Sequence, residues 1–184
     1  MNRRRKALAE ALRIERREAD TAWPEVEALA KIVYTPEMAA HDEWHDVVWA
    51  HADSWLLGYL GDVLVSVAGI HQREVDVNGT LQHVAGIGGV KTHPEHEKNG
   101  YSTAVLEATN TAIAEQVAPA FSLIFVEQHN RAFYEKRGWR VFDGTVMVEQ
   151  HGEQVAFPER SVMLRDGASA APQSGTIDMK GRPW

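Results

Sequence analysis

A stretch near the middle of the chain, residues 83–107, combines residue types that could bind an anion. Residues 83–92 are rich in Val, Ile and Gly and are followed by turn-forming residues, which predicts a buried strand. A polar loop and Gly100 then lead into a segment with a helical period of apolar residues: Tyr101, Val105, Ala108, Ala112 and Val117. A strand, a glycine-containing loop and a helix N-terminus together present free backbone N–H groups to an anion. An ordinary strand–loop–helix connection would have the same pattern.

Two adjacent glycines, Gly88 and Gly89, interrupt the apolar pattern of this strand. Glycine inside a strand indicates either a bulge or a place where another group lies close against the backbone. We therefore expect an irregular strand, or a close approach, at these two positions.

The same stretch resembles the GNAT superfamily of N-acetyltransferases, whose motif is V-x-V-x-P-x-x-[RQ]-x-x-G-x-[GA]. The matching positions are held by Val90, Thr92, Pro94 and Gly100. Glu97 replaces the usual Arg or Gln, and Ser102 replaces the second small residue. A carboxylate near a pyrophosphate is unfavourable, so Glu97 should point to solvent or pair with a lysine. The resemblance implies that acetyl-CoA lies along residues 90–92 and 98–102, contacting Val90, Lys91, Thr92, Lys98, Asn99, Gly100, Tyr101 and Ser102.

A second group of polar residues follows a short apolar run, residues 121–126, that predicts another buried strand. Ligands of open α/β sheets tend to bind at this end of a strand, where Glu127 and Asn130 lie. Residues 130–139 resemble the GNAT pattern N-x-x-[AL]-x-x-[LF]-Y-x-x-x-G-[FW]. The resemblance implies that Asn130 contacts the pantetheine arm and that Tyr134 lies beside the sulfur as proton donor. A half-buried core tyrosine is the alternative for Tyr134.

Histidines, acids and tryptophans are concentrated in residues 35–53, which we predict to be helical. Their spacing matches no zinc signature, so no metal is expected. An aromatic ring beside carboxylates suits a cationic amine, and Asp42, Glu43 and Trp44 are therefore candidates for binding an acceptor. A solvated amphipathic helix with Trp44 and Trp49 in the core is at least as consistent with the pattern.

The N-terminal third contains a charged arm, residues 1–11, and a segment that is compatible with helix or with an edge strand. A helix is predicted next, with Thr21 as N-cap and Pro24 in its first turn. Two hairpins follow, at Gly61 and at Asn78-Gly79, the second suited to a type I′ turn.

The C-terminal part is predicted to contain strands at residues 140–150 and 161–165, and a linker at residues 167–175. Ile177 and Met179 belong to an expected last edge strand, which could pair across a homodimer. The fold class that results is a single mixed α/β domain, residues 1–184, with a mostly antiparallel GNAT-type sheet and helices on both faces.

Composition limits the function classes. The chain has 184 residues, no cysteine and a net charge of −7. It has no apolar run of membrane-spanning length and no secretory signal, so a cytoplasmic protein that acts without a membrane is expected. The negative charge disfavours nucleic acid and favours a cationic or neutral ligand, although it could serve solubility alone.

A looser resemblance connects the chain with the aminoglycoside 2′-N-acetyltransferases, which similarly end in an acidic residue, a basic-glycine stretch and a tryptophan. Their fourth-strand glutamate corresponds to Gly88, which would line the acceptor site without supplying a base. Glu127 and the α-carboxylate of Trp184 are the candidate bases, and the Trp184 ring would form a wall of the acceptor pocket. A solvated Glu127 and a frayed terminus are the alternative.

The expected activity is acetyl transfer from acetyl-CoA, as co-substrate, to a primary amine of a small and cationic acceptor. An amine must lose a proton before it attacks the thioester, an amide near Val90 could stabilise the oxyanion, and Tyr134 would protonate the thiolate. A binding module or a small-molecule sensor built on the same fold, with weak or no turnover, stays open.

Overall fold

The computed structural model describes residues 12–35, 44–158 and 160–184. The predicted charged arm, Asp42 and Glu43 lie outside the described residues.

The described residues contain three α-helices and ten strands. The helices are α1 (Ala19–Val33), α2 (Tyr101–Ala112) and α3 (Arg131–Glu135). The strands are β1 (Leu12–Glu18), β2 (Ser54–Leu60), β3 (Val63–Val77), β4 (Thr80–Thr92), β5 (Phe121–Phe125), β6 (Arg140–Val141), β7 (Asp143–Gln150), β8 (Glu153–Ala156), β9 (Val162–Asp166) and β10 (Ser174–Asp178).

The strands form one mixed sheet in the order β6-β9-β5-β4-β3-β10-β7-β8, and β2 pairs with both β1 and β3. Strands β4 and β5 are parallel, as are β7 and β10. A mixed sheet with helices confirms the predicted fold class. The chain divides into two compact units, one of residues 1–46, 52–70 and 89–112, the other of residues 47–51, 71–88 and 113–184.

In the first unit, β1 is an antiparallel partner of β2, as the alternating Leu12-Arg13-Ile14 pattern allows. Helix α1 follows without a connecting loop and buries its apolar face against β2 and β3. This cluster consists of Ala22, Val26, Leu29, Ala52, Trp55, Leu57, Tyr59 and Val67. The predicted N-cap at Thr21 is wrong, because the helix starts at Ala19 and Glu18 is its N-cap residue. Pro24 consequently lies inside the helix and not in its first turn.

Both predicted hairpins are confirmed. Gly61 has φ of +58° between β2 and β3, and Asn78 and Gly79 have φ of +52° and +85° between β3 and β4. Positive φ at two successive residues is the requirement of a type I′ turn, which Asn-Gly satisfies at little steric cost.

The predicted helix over residues 35–53 is wrong in its described part. Trp44 begins a turn that ends at Asp46, and residues 47–50 have no regular secondary structure. Backbone groups of residues 47–50 form hydrogen bonds with residues of the second unit that are distant in sequence. Gln150 accepts a hydrogen bond from the Val48 N–H through Oε1 at 2.8 Å and donates to the Val48 carbonyl through Nε2 at 3.0 Å. The Ala50 N–H donates to the carbonyl of Pro183 at 2.7 Å, so helical hydrogen bonds are not needed.

Two predictions for the C-terminal part need correction. Residues 140–150 form two strands, because the buried Phe142 donates its N–H to Val162 and separates β6 from β7. Strand β10 is not an edge strand, since it pairs with β3 on one side and β7 on the other. Ile177 and Met179 are fully buried for that reason. None of the helices in the described residues is both long and apolar enough to cross a bilayer.

Candidate functional site

The last four residues of β4, from Gly89 to Thr92, and the loop after them belong to the first unit. Ser66 on β3 donates its hydroxyl proton to the Lys91 carbonyl at 3.0 Å, and its oxygen lies 3.0 Å from the Thr92 hydroxyl. The His93 N–H donates to Val65 at 2.9 Å, after which the chain leaves the sheet in a 3₁₀ turn, Pro94–His96. These contacts hold the segment containing Val90 and Thr92 against β3.

The N-terminus of α2 has the backbone arrangement that an anion requires. Gly100 has φ of +89°, a value that favours glycine, and the first helical hydrogen bond runs from the Ala104 N–H to the Gly100 carbonyl at 3.0 Å. The N–H groups of Tyr101 and Ser102 therefore precede the helical ladder and are unused by it. Ser102 is half-buried and Tyr101 is buried, so the helix start is fixed on the body of the unit.

The loop residues before this helix are exposed, including Glu97, Lys98 and Asn99. Lys98 has φ of +61°, an uncommon conformation for a residue with a side chain. The exposure of Glu97 agrees with the expectation that its side chain is solvated. The residue types at this helix start thus fit a pyrophosphate.

Lys91 is half-buried, with its ammonium group between two aromatic rings of the first unit. Its Nζ lies 5.5 Å from the ring centroid of Tyr34 and 5.6 Å from that of Trp55, and it donates to the Gly89 carbonyl at 3.1 Å. Burial lowers the pKa of Lys91 to about 8. The sequence predicts Lys91 only as a donor-binding residue of the strand and gives no sign that its ammonium group is partly buried against aromatic rings.

In the second unit, β5 ends at Phe125, two residues before Glu127. Glu127 is half-buried, and its Oε2 lies 3.3 Å from Nε2 of His129. The following 3₁₀ turn, Gln128–Asn130, leads directly into α3, and the side chain of Asn130 is exposed and makes no capping hydrogen bond. The turn and helix hold Tyr134 in place. The helix ends at Glu135 with Lys136 as its C-cap residue, and Gly138, with φ of +83°, lies at the end of the turn that follows.

Tyr134 is 8% exposed and lies against Phe133 and Trp139, at centroid distances of 5.1 Å and 6.4 Å. Its hydroxyl forms no hydrogen bond within the part of the chain that the structure describes. Burial raises the pKa of Tyr134 to about 12, so the phenol keeps its proton at neutral pH. A protonated hydroxyl without an acceptor among the described residues can donate a hydrogen bond to a ligand.

Trp184 is buried and packs into the space that two glycines leave open on β4. A Cβ atom at Gly86 would lie 1.8 Å from the indole Nε1 of Trp184. A Cβ atom at Gly88 would lie 2.9 Å from the main-chain carbon of Trp184 and 2.7 Å from Nε2 of His71. Gly88 is therefore a position of close approach, as expected, and the burial of Trp184 contradicts the alternative of a frayed tail.

His71 is a residue of this group that sequence reasoning missed. It is 5% exposed, and burial lowers the pKa of His71 to about 3, with the positive charge of Arg73 as a further cause. The signal in the sequence is a single histidine at the end of an apolar run on β3, a pattern that a satisfied core histidine also gives.

The structure describes only some of the predicted acceptor-binding residues. Trp44 is half-buried in the turn at residues 44–46, whereas Asp42 and Glu43 lie outside the described residues. Three or more metal-ligating side chains do not meet anywhere in the described ranges.

Comparison with solved structures shows a shared fold at low sequence identity. A GNAT family N-acetyltransferase (YhbS) from Escherichia coli, solved with CoA, superposes with a TM-score of 0.61 and 13% identity over 92% of this chain and 89% of its own. A GNAT family acetyltransferase from Brucella melitensis, solved with acetyl-CoA, gives a TM-score of 0.50 and 12% identity over 82% of this chain and 94% of its own.

A conserved protein of unknown function from Enterococcus faecalis gives a TM-score of 0.55 and 19% identity. The match covers 71% of this chain, which spans only 32% of that protein. No curated protein sequence is significantly similar to the chain. The model of the acetyltransferase (GNAT) domain matches residues 15–142, well over half of the sequence, and the chain therefore belongs to the GNAT acetyltransferase family.

Proposed function

We propose that this protein transfers an acetyl group from acetyl-CoA to the primary amine of a small molecule. The backbone at the start of α2 is the observation that carries the proposal. Gly100 turns the chain so that the N–H groups of Tyr101 and Ser102 point out of the helix start, where the helix dipole favours a pyrophosphate. The GNAT neighbours that were solved with CoA or acetyl-CoA support the same donor.

The pantetheine arm is proposed to run along residues 90–92, with the pyrophosphate at Lys98, Asn99 and Gly100. The exposed Glu97 is compatible with this arrangement because a solvated carboxylate is screened from nearby phosphate charge. The side chain of Asn130 would add a polar contact to the arm.

Tyr134 is proposed to protonate the thiolate that leaves the donor. Its hydroxyl is protonated at neutral pH and has no competing acceptor among the described residues. A proton donor placed in this way typically contributes about 10²- to 10⁴-fold in rate.

The amine has to be deprotonated before it attacks the thioester, and Glu127 is the proposed base. It lies two residues after the end of β5, is half-buried, and precedes the turn that leads to Tyr134. The carboxyl group of Trp184 is the second candidate. Gly88 carries no side chain that could act, and Trp184 lies against it.

The proposed acceptor is a small cationic amine, with an aminoglycoside among the candidates. The net charge of −7 would attract such a molecule, and the indole of Trp184 and the ring of Trp44 would supply apolar walls. Asp42 and Glu43 are proposed as the acidic groups that bind the same acceptor.

A second candidate function is favoured by one observation. Glu97 occupies a position where the family pattern has Arg or Gln, and a negative charge in place of a positive or neutral side chain would weaken the binding of acetyl-CoA. The protein would then be an acyl-CoA-binding or sensor module with little turnover.

The test has two steps. Titration calorimetry with acetyl-CoA measures donor binding, and release of free CoA thiol is then followed with a panel of primary amines that includes polyamines, amino acids and aminoglycosides. Binding with amine-dependent CoA release supports the transferase, and binding without release for any amine supports the sensor. No binding of acetyl-CoA contradicts both.

A further inference from the structure

The side chain of Lys91 occupies an ammonium-binding site that the first unit builds for it. Two aromatic rings flank Nζ, Trp55 from β2 and Tyr34 from the end of α1. The third contact is the hydrogen bond to the Gly89 carbonyl. Gly89 has φ of +58°, and a Cβ atom there would lie 3.2 Å from the Lys91 Nζ and 2.7 Å from the Trp55 ring. The lack of a side chain at residue 89 is what allows the lysine to fold back onto the strand.

No carboxylate of residues 12–35, 44–158 or 160–184 forms an ion pair with Lys91. The rings and the carbonyl stabilise the ammonium form, but burial has the larger effect and favours the neutral amine. With a pKa of about 8, about a tenth of the side chain is unprotonated at pH 7. A lysine with an ordinary pKa has a fraction smaller by roughly 300-fold.

We propose that Lys91 is an acetylation site of this protein and that the protein modifies it with its own acyl donor. The geometry points to this residue because Nζ is held at the main chain of β4, within the segment along which the thioester arm is proposed to lie. The inference rests on the proposed function for its donor. It adds an acceptor that belongs to the chain itself.

The reaction balances without another reagent. The lone pair of the neutral Nζ attacks the carbonyl carbon of the acetyl thioester, and the carbon–sulfur bond breaks. The nitrogen loses one proton, the thiolate takes one up, and the products are an N-acetyl lysine and free CoA. The acetylated nitrogen keeps one N–H for the Gly89 carbonyl but no longer carries the charge that the two rings contact.

The first experiment is incubation of the protein with acetyl-CoA at pH 7.5 without any amine acceptor, followed by peptide mass spectrometry. We expect one acetyl group per chain, on Lys91, with a rate at least roughly tenfold above that of the exposed Lys31 and Lys180, because a larger fraction of the Lys91 amine is neutral and able to attack. Lys91→Arg should abolish this modification while keeping a cation between the rings. Lys31→Arg, a change on the solvent side of α1, should leave the modification of Lys91 intact.

The same chain treated with trace acetic anhydride provides a measurement that needs no donor site. Lys91 should again be labelled first at pH 7, and its labelling should be half-maximal near pH 8. Acetylation spread over the exposed lysines with Lys91 spared, in either reagent, overturns the inference.

The outcomes that contradict the proposed function differ from those that contradict only the modification of Lys91. A protein that does not bind acetyl-CoA in calorimetry contradicts the proposed function and, with it, self-acetylation. A protein that binds acetyl-CoA and acetylates added amines, but leaves Lys91 unmodified, contradicts only the inference about Lys91.

Discussion

The imidazole of His71 stacks on the indole of Trp184, with ring centroids 5.3 Å apart and an angle of 14° between the ring planes. Arg73 lies 5.0 Å from the same indole and donates to the main-chain carbonyls of Met179 and Arg182. The segment that ends at Trp184 is therefore part of the core of the second unit. The glycines of β4 provide the space that it fills.

Gly86→Ala tests that packing. The new methyl group would overlap the indole of Trp184, and we expect a loss of roughly 1–3 kcal/mol in the free energy of unfolding, the usual cost of overpacking. Urea denaturation measures it.

The control for this prediction is a double-mutant cycle. In a Trp184→Ala background the same Gly86→Ala change meets an empty space and should cost much less. Equal costs in both backgrounds would show that the clash at Gly86 is relieved by something other than Trp184.

His71 should make stability depend on pH. Burial keeps the folded-state pKa of His71 at about 3, below the ordinary value of 6.5, so the unfolded chain takes up the proton first as pH falls. The stabilisation is complete above about pH 6.5 and is lost toward pH 3, amounting to about 2 kcal/mol between pH 7 and pH 5. Urea denaturation at several pH values should show this slope in the wild-type chain and a shallower one in His71→Gln.

His83→Gln provides the matched control, because His83 is exposed on β4. It should leave the slope unchanged. If His71→Gln retains the full pH dependence, then another group causes it.

Two substitutions of Gly100 separate the effect of charge from the effect of backbone strain on the affinity for acetyl-CoA. Gly100→Ala imposes a side chain on a φ of +89° but meets no atom within 4 Å, and Gly100→Asp adds a negative charge to the same strain. We expect calorimetry to show that Gly100→Asp binds acetyl-CoA at least roughly tenfold more weakly than Gly100→Ala, because the new carboxylate repels the phosphates. The difference should shrink as salt is raised. Equal affinities of the two variants would place the pyrophosphate elsewhere.

The hairpins and the motif segments were predictable because their signals are local. Asn78-Gly79 sets its own turn, and the residues from Gly100 onward carry both the loop and the helix period. The region around Val48 was not predictable, because its hydrogen-bond partner Gln150 is about a hundred residues away in sequence and overrides the local helical preference. Strand β10 was placed at an edge for the same reason, since its partners β3 and β7 come from distant segments.

Some residues of the candidate site are likewise predictable from local patterns, and others are not. Tyr134 and the α2 start were found by pattern, whereas the significance of His71 depends on Trp184, which only the fold brings to it. The close approach at Gly88 and Gly89 was predicted, but which groups approach could not be. They are His71 and Trp184 for the first glycine and Trp55 and Lys91 for the second.

Glu127→Gln tests the proposed base. If the Glu127 carboxylate accepts the amine proton, the acidic limb of the pH profile of kcat/KM should disappear, because that limb reports a base that must be unprotonated. The measurement needs an amine accepted in the panel above. His129→Gln removes the neighbouring ring at 3.3 Å and keeps the carboxylate, so the acidic limb should remain. An unchanged profile in Glu127→Gln leaves Trp184 as the candidate base.

Tyr134→Phe tests the proposed proton donor. The hydroxyl has no hydrogen-bond partner in the described ranges, so its removal should leave the free energy of unfolding nearly unchanged, and the ring contacts with Phe133 and Trp139 persist. Affinity for acetyl-CoA should also persist, whereas kcat should fall by roughly 10²- to 10⁴-fold, since the thiolate would leave without a proton donor.

Single-turnover measurements with an aromatic thioester of lower thiol pKa supply the control, because such a leaving group needs no acid and the wild-type and Tyr134→Phe proteins should then react at similar rates. A kcat within about twofold of wild type with acetyl-CoA itself would mean that water or another group protonates the thiolate and that Tyr134 is a core residue.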